Sequence, residues 1–128
     1  MSYVAVPFGA SVAECAALAG SLDSGERTAL LVMADGSASR SLKAPGYLDA
    51  RAHEFDAGVV RALACGDSDA LLGLDSGLAD ELLMQGRAAL QVLGAAVPSV
   101  RVAEVRHQED PFGVLYFVAF WLAGEESS

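Results

Sequence analysis

Apolar positions along the chain change their period several times, and each change predicts an element. "YVAVPF" (Tyr3 to Phe8) reads as a short strand stopped by Pro7 and Gly9. "SVAE" (Ser11 to Glu14) fits a capping box, opening a helix that runs to about Leu22. "TALLVMA" (Thr28 to Ala34) is apolar throughout, as in a strand covered on both faces. Strand, helix and strand in this order predict a βαβ unit with parallel strands and a right-handed crossover. In "HEFDAGVVRALACG", Phe55, Val59, Val60 and Leu63 recur at helical spacing, and Gly66 is placed to end the helix. Asp67 and Asp75 are then N-caps for two short helices, "SDALLGL" and "SGLADELLMQG". A further helix spans about Arg87 to Ala96 and stops before Pro98, and this helical middle is expected to pack on the sheet. "SVRVAEVRH" (Ser99 to His107) alternates with a slip at Ala103-Glu104, "QEDPFG" turns, and "VLYFVAFWLA" returns. That predicts a hairpin of one half-exposed and one buried strand. The expected fold is α/β: a mixed β-sheet flanked by helices, in one domain over residues 1–124 with a solvated tail at 125–128.

Composition narrows the functional classes. The chain has 128 residues, 53% of them hydrophobic, enough to bury a core. No apolar run reaches the ~18 residues of a membrane span, and no basic stretch precedes an apolar one at the N-terminus, so neither a span nor a secretory signal is expected. Cys15 and Cys65 are too few and too far apart for a zinc motif or a disulfide framework, and read as two small buried thiols of a cytoplasmic protein. Eight Lys+Arg against 17 Asp+Glu give a formal charge of −9, which argues against nucleic-acid binding and against docking on an anionic membrane.

The basic residues are few but unevenly placed. Arg40, Lys43 and Arg51 fall in the long loop from Asp35 to about Ala52, with Asp49 as the opposing charge, so an anionic ligand is expected there if anywhere. The loop opens on Asp35-Gly36-Ser37, at the end of an expected strand, where open α/β sheets place ligand sites. The same tip also fits a turn that satisfies its own amides. It is no P-loop, lacking the second glycine and the Lys-Ser/Thr. His53 stands beside Glu54 and Asp56, and His107 beside Gln108, Glu109 and Asp110, but no pair has metal spacing. A Ser37-His53-Asp35 set lacks any nucleophile-elbow context.

Together "VMADGSASR", "APGYLDARAHEFDAGVVRALACGD", "LLMQGRAALQVLGAA" and "PFGVLYFVAFWL" resemble the C-terminal half of class III (LigB-type) extradiol dioxygenase-like proteins, in particular an actinobacterial branch. The series Phe55-Asp56, Gly66-Asp67, Leu74-Asp75 and a helix closing in Gly86 carries the resemblance. In catalytic members two histidines of the N-terminal half and a later glutamate hold iron(II), and an Asp-Leu-Ser-His tip supplies the acid/base histidine. Here Ala38 stands at that histidine position, Met84-Gln85-Gly86 is neutral where related branches are acidic, and nothing matches the histidine-bearing half. The resemblance therefore implies a non-catalytic subunit or small-ligand-binding scaffold without a cofactor. Asp35, Ser37, Arg40, Lys43, Arg51, His53 and Gln85 are its candidate ligand-binding residues. The alternative is half of an extradiol dioxygenase whose partner brings the iron ligands. Half a fold leaves a sheet edge and apolar surface open, so a homo-oligomer or a partner chain completing the fold is expected.

Overall fold

A computed structural model describes residues 3–22, 28–41 and 48–124. Its elements are α1 (Val12–Ser21), α2 (Ala52–Cys65), α3 (Ser68–Leu72), α4 (Ser76–Glu81), α5 (Arg87–Ala96), β1 (Val100–Glu109) and β2 (Tyr116–Ala123). Helices plus a sheet make an α/β protein, as the periodicity requires. The solvated tail expected at 125–128 lies outside the described residues, and no helix among them is long and apolar enough to cross a membrane.

Local chemistry sets most boundaries. Ser11 Oγ accepts from the Glu14 amide at 3.1 Å and the Ser11 amide donates back to Glu14 Oε1 at 3.3 Å, closing the capping box of α1. Asp67 and Asp75 cap α3 and α4 by accepting from the amides of Ala70 (3.0 Å) and Leu78 (3.1 Å). Gly66 ends α2 at φ 67, and a Cβ there would lie 2.8 Å from the Val100 side chain, so both backbone and space demand glycine. The helix expected from Ser76 to Gly86 stops at Glu81 instead. The Leu82 carbonyl, which a continuing helix would offer to residue 86, accepts from the Ala38 amide at 3.0 Å and from Ser39 Oγ at 3.1 Å. Leu83 then turns the chain at φ 54.

β1 and β2 pair antiparallel, and bulges at Arg101 and Arg106 interrupt the register. Pairing is regular through Val102–Val105, so the slip expected at Ala103-Glu104 falls to either side of it. β2 is not buried on both faces: Phe117, Ala119 and Trp121 face the core, while Tyr116, Val118 and Phe120 are exposed. Trp121 Nε1 donates to the Leu63 carbonyl at 2.7 Å, fastening the hairpin to α2. One core cluster joins α2, α3, α4 and α5 around Val59, Leu63, Leu71, Met84 and Leu90, and the hairpin packs on it. A second joins α1 to α5 through Cys15, Ala19, Ala88 and Val92. Cys15 is buried as expected, and burial pushes its thiol pKa up. Cys65, at the end of α2, is exposed, contrary to expectation.

The leading βαβ sheet is the main departure. Among the described residues the sheet has two strands, and neither 3–8 nor 28–34 joins it. Residues 31–35 carry no regular secondary structure and alternate in exposure: Val32 and Ala34 are half-buried, whereas Leu31 is 88% and Met33 78% exposed. The unbroken apolar run predicts a strand covered on both faces, but only alternate residues of it are covered.

Candidate functional site

The loop tip is a buried structural thread. Gly36, Ser37, Ala38 and Ser39 are all buried, and the segment runs antiparallel to the residues leading into β2. The Gly36 amide donates to Leu115 O at 2.8 Å, the Leu115 amide to Ser37 O at 3.0 Å, and the Arg40 amide to Gly113 O at 3.1 Å. Two glycines allow this approach. A Cβ on Gly36 would meet Leu115 at 2.7 Å, and one on Gly86 would meet the Asp35 carbonyl at 2.5 Å. Backbone pairing and steric contact thus clamp the tip between the hairpin and the start of α5.

Asp56 is the centre of the site. It sits within the apolar stripe of α2, fully buried, and its carboxylate must be met by donors. The Ser37 amide donates to Oδ1 at 2.9 Å, and Ser37 Oγ donates to Oδ2 at 2.6 Å. Arg40 Nη1 donates to Oδ2 at 2.9 Å, and Arg40 Nε reaches Asp110 Oδ2 at 2.7 Å, so one guanidinium bridges two carboxylates. Burial works against the Arg40 charge, but hydrogen bonds and attraction from Asp110 and Asp56 outweigh it and raise its pKa. In the sequence Asp56 stands out as a neighbour of His53 and as part of the Phe55-Asp56 step of the resemblance, but not as a site residue. Its signal was positional: a carboxylate flanked by Ala52, Phe55, Val59 and Leu63 on the core-facing side of a helix.

A shallow, open depression of about 270 Å³ lies over this network. Asp56 and Leu115 form its buried lining, Arg40 and Val60 are half-buried, and His53, Ala57, Arg61 and Gln108 are exposed. His53, Ala57, Val60 and Arg61 recur at helical spacing along one face of α2, while Gln108 comes from β1. Among the described residues Arg61 and His53 have no ion-pair partner. Arg61 and Gln108 were not anticipated, because only the fold brings them beside Arg40.

The other expected residues disperse. Arg51 forms an exposed cluster instead, with Nη2 2.8 Å from Asp49 Oδ2 and Nη1 2.9 Å from Glu81 Oε2. Asp49 is drawn down to about 2 by its hydrogen bonds with Arg51, and the Arg51 pKa is raised in turn. The basic loop is therefore not opposed by Asp49 alone: Asp56, Asp110 and Glu81 also neutralise it. Asp35 and Gln85 are exposed and line no part of the depression. Lys43 lies outside the described residues. No group of three or more His, Cys, Asp or Glu side chains is gathered in metal-binding fashion among the described residues.

Compared with known proteins, the chain matches no family model, no curated protein and no solved structure.

Proposed function

We propose that this chain is a non-catalytic, dioxygenase-like domain of the cytoplasm that serves as a small-ligand-binding subunit. The observation that carries the reading is the commitment of the tip to structure. Ser37 spends its amide and hydroxyl on Asp56, and Ala38 is buried where the resembled enzymes carry their acid/base histidine. Alanine transfers no proton, and a hydroxyl held by a buried carboxylate that is itself paired to Arg40 is positioned as a strut. The depression flanked by Arg40, His53, Arg61 and Gln108 is the ligand site in this reading.

A partner belongs to the same proposal. Leu31 and Met33 stand in solvent on a segment outside the sheet, and the outer face of β2 presents Tyr116, Val118, Phe120 and Leu122. Apolar faces and strand edges of this kind are normally covered, which supports a second copy or another chain completing the fold. The same surface favours a second reading, in which the covering chain brings histidines and iron(II) and the assembly cleaves catechols. Light scattering at tens of micromolar, with iron analysis and oxygen uptake on catechol, tests both. The expected result is an oligomer inert toward catechol. A monodisperse monomer overturns the subunit, and stoichiometric iron with oxygen uptake replaces the first reading by the second.

A further inference from the structure

We infer that the depression takes a short organic carboxylate whose apolar body is held against Ala57, Val60 and Leu115. This rests on the ligand-binding reading above and gives that ligand a chemical class. Its lining is lopsided in hydrogen-bonding capacity. Arg61 offers a whole guanidinium, and Arg40, whose Nε and Nη1 serve Asp110 and Asp56, keeps Nη2 for another acceptor. Gln108 adds an amide and His53 an imidazole, both exposed at the same opening. The lining carboxylate, Asp56, is buried and already engaged by three donors: Oδ1 accepts from the Ser37 amide, and Oδ2 from Ser37 Oγ and Arg40 Nη1. A cationic ligand would therefore meet two arginines and a spent carboxylate. A carboxylate would meet donors with charge-assisted strength and a planar fork suited to two oxygens.

Apolar groups set the other half of the specificity. Ala57, Val60 and Leu115 give the depression a hydrocarbon surface that an inorganic anion leaves unused. Its volume of about 270 Å³ has room for a small organic acid such as butyrate. The Asp110 side chain, paired to Arg40 Nε, is 42% exposed and does not line the opening, so a ligand there does not touch it.

The experiment follows the backbone amides of the full chain by ¹H–¹⁵N correlation while sodium butyrate, sodium phosphate, butylamine and 1-butanol are added separately at constant ionic strength. Butyrate is expected to shift the amides of His53, Ala57, Arg61 and Gln108 saturably, and more tightly than phosphate. Arg61→Gln, on an exposed face of α2, is expected to weaken butyrate roughly tenfold without changing the rest of the spectrum. His53→Gln should weaken it less. Binding of butylamine or butanol as tight as that of butyrate overturns the carboxylate class while leaving a ligand site standing. Unchanged butyrate affinity in both variants has the same consequence, and phosphate binding as tightly as butyrate removes the apolar half. If none of the four probes moves these amides, the ligand-binding reading itself falls.

Discussion

Arg40 and Arg87 are both drawn largely out of water, yet they are satisfied in opposite ways. Arg40 bridges two carboxylates, Asp56 and Asp110, and its side chain is 16% exposed. Arg87, 2% exposed, has no carboxylate partner among the described residues. Its Nη1 donates to the carbonyl of Ala10 and to Gln91 Oε1, its Nη2 to the carbonyl of Phe8, and its Nε is buried without a partner. Gln91 is passed on in turn, its Nε2 donating to the carbonyls of Leu72 and Leu74. Arg87 therefore pins the N-terminal segment and the α3–α4 connection to α5 using neutral acceptors, and keeps an uncompensated charge. Arg40 holds the loop tip with full charge compensation and also lines the depression. One arginine is a structural pin; the other is both pin and site.

The largest effect is expected from breaking the compensated network. Arg40→Met leaves Asp56 buried with a charge supported only by Ser37, and Asp56→Ala leaves Arg40 with Asp110 alone and both Ser37 donors unpaired. Removing one partner of a buried pair costs about 3–5 kcal/mol. Urea denaturation should register each loss as a lower midpoint, and the double variant should lose clearly less than the two singles added together. Additive losses would show that the two side chains do not stabilise one another.

Arg87→Met sharpens the contrast. It frees the carbonyls of Phe8 and Ala10 and the Gln91 amide oxygen, but it also removes a desolvated cation that no carboxylate among the described residues pairs with. These contributions oppose one another, so the net loss should be about 1 kcal/mol, well below that of Arg40→Met. A loss as large as that of Arg40→Met would show that carbonyl acceptors stabilise a buried guanidinium as well as carboxylates do.

Neither arginine announced its role in the sequence, although each had a positional signal. Arg87 opens a helix, where the dipole disfavours a cation, and it shares a buried face with Ala88, Gln91 and Val92. A basic residue there calls for a tertiary partner. Arg40 was grouped with Lys43 and Arg51 because neighbours in sequence are easily mistaken for neighbours in space. Arg40 pairs with Asp56 and Asp110, whereas Arg51 pairs with Asp49 and Glu81, and no local spacing identifies Asp110 as the group that meets Arg40. The caps were legible, since Ser11, Asp67 and Asp75 accept from amides three residues on and Gly66 suits its own left-handed backbone. The end of α4 at Glu81, in contrast, goes with a contact from Ala38 and Ser39 far along the chain. The strands at 3–8 and 28–34 were misread for the converse reason. An apolar run reports the tendency to be buried, whereas a ladder needs a partner that the described residues do not supply. The depression combines both cases: its α2 face could be written down from helical spacing, while Gln108 and Leu115 arrive only through the hairpin.

The smallest effect belongs to the third arginine, which has two carboxylates like Arg40 but stands at the surface. Arg51 meets Asp49 and Glu81 with its side chain 54% exposed, so solvent and salt screen what burial would strengthen. Its one clear signature is in pH. Asp49 titrates at about 2 in the folded protein, below its ordinary value of 3.8, because Arg51 hydrogen-bonds its charged form. A lowered folded-state pKa means that the contribution is complete above the unfolded value and fades as acidification proceeds from about 4 toward 2. Urea midpoints of the wild type and Asp49→Asn, compared from pH 6 to pH 2 at low salt, should therefore differ slightly in favour of the wild type above pH 5. The gap should close through the acid range. Asparagine keeps an oxygen for the Arg51 amide, so the change isolates the charge. A gap that widens on acidification would mean that the Asp49 charge is unfavourable in the fold, and that two carboxylates around one exposed guanidinium repel more than they gain.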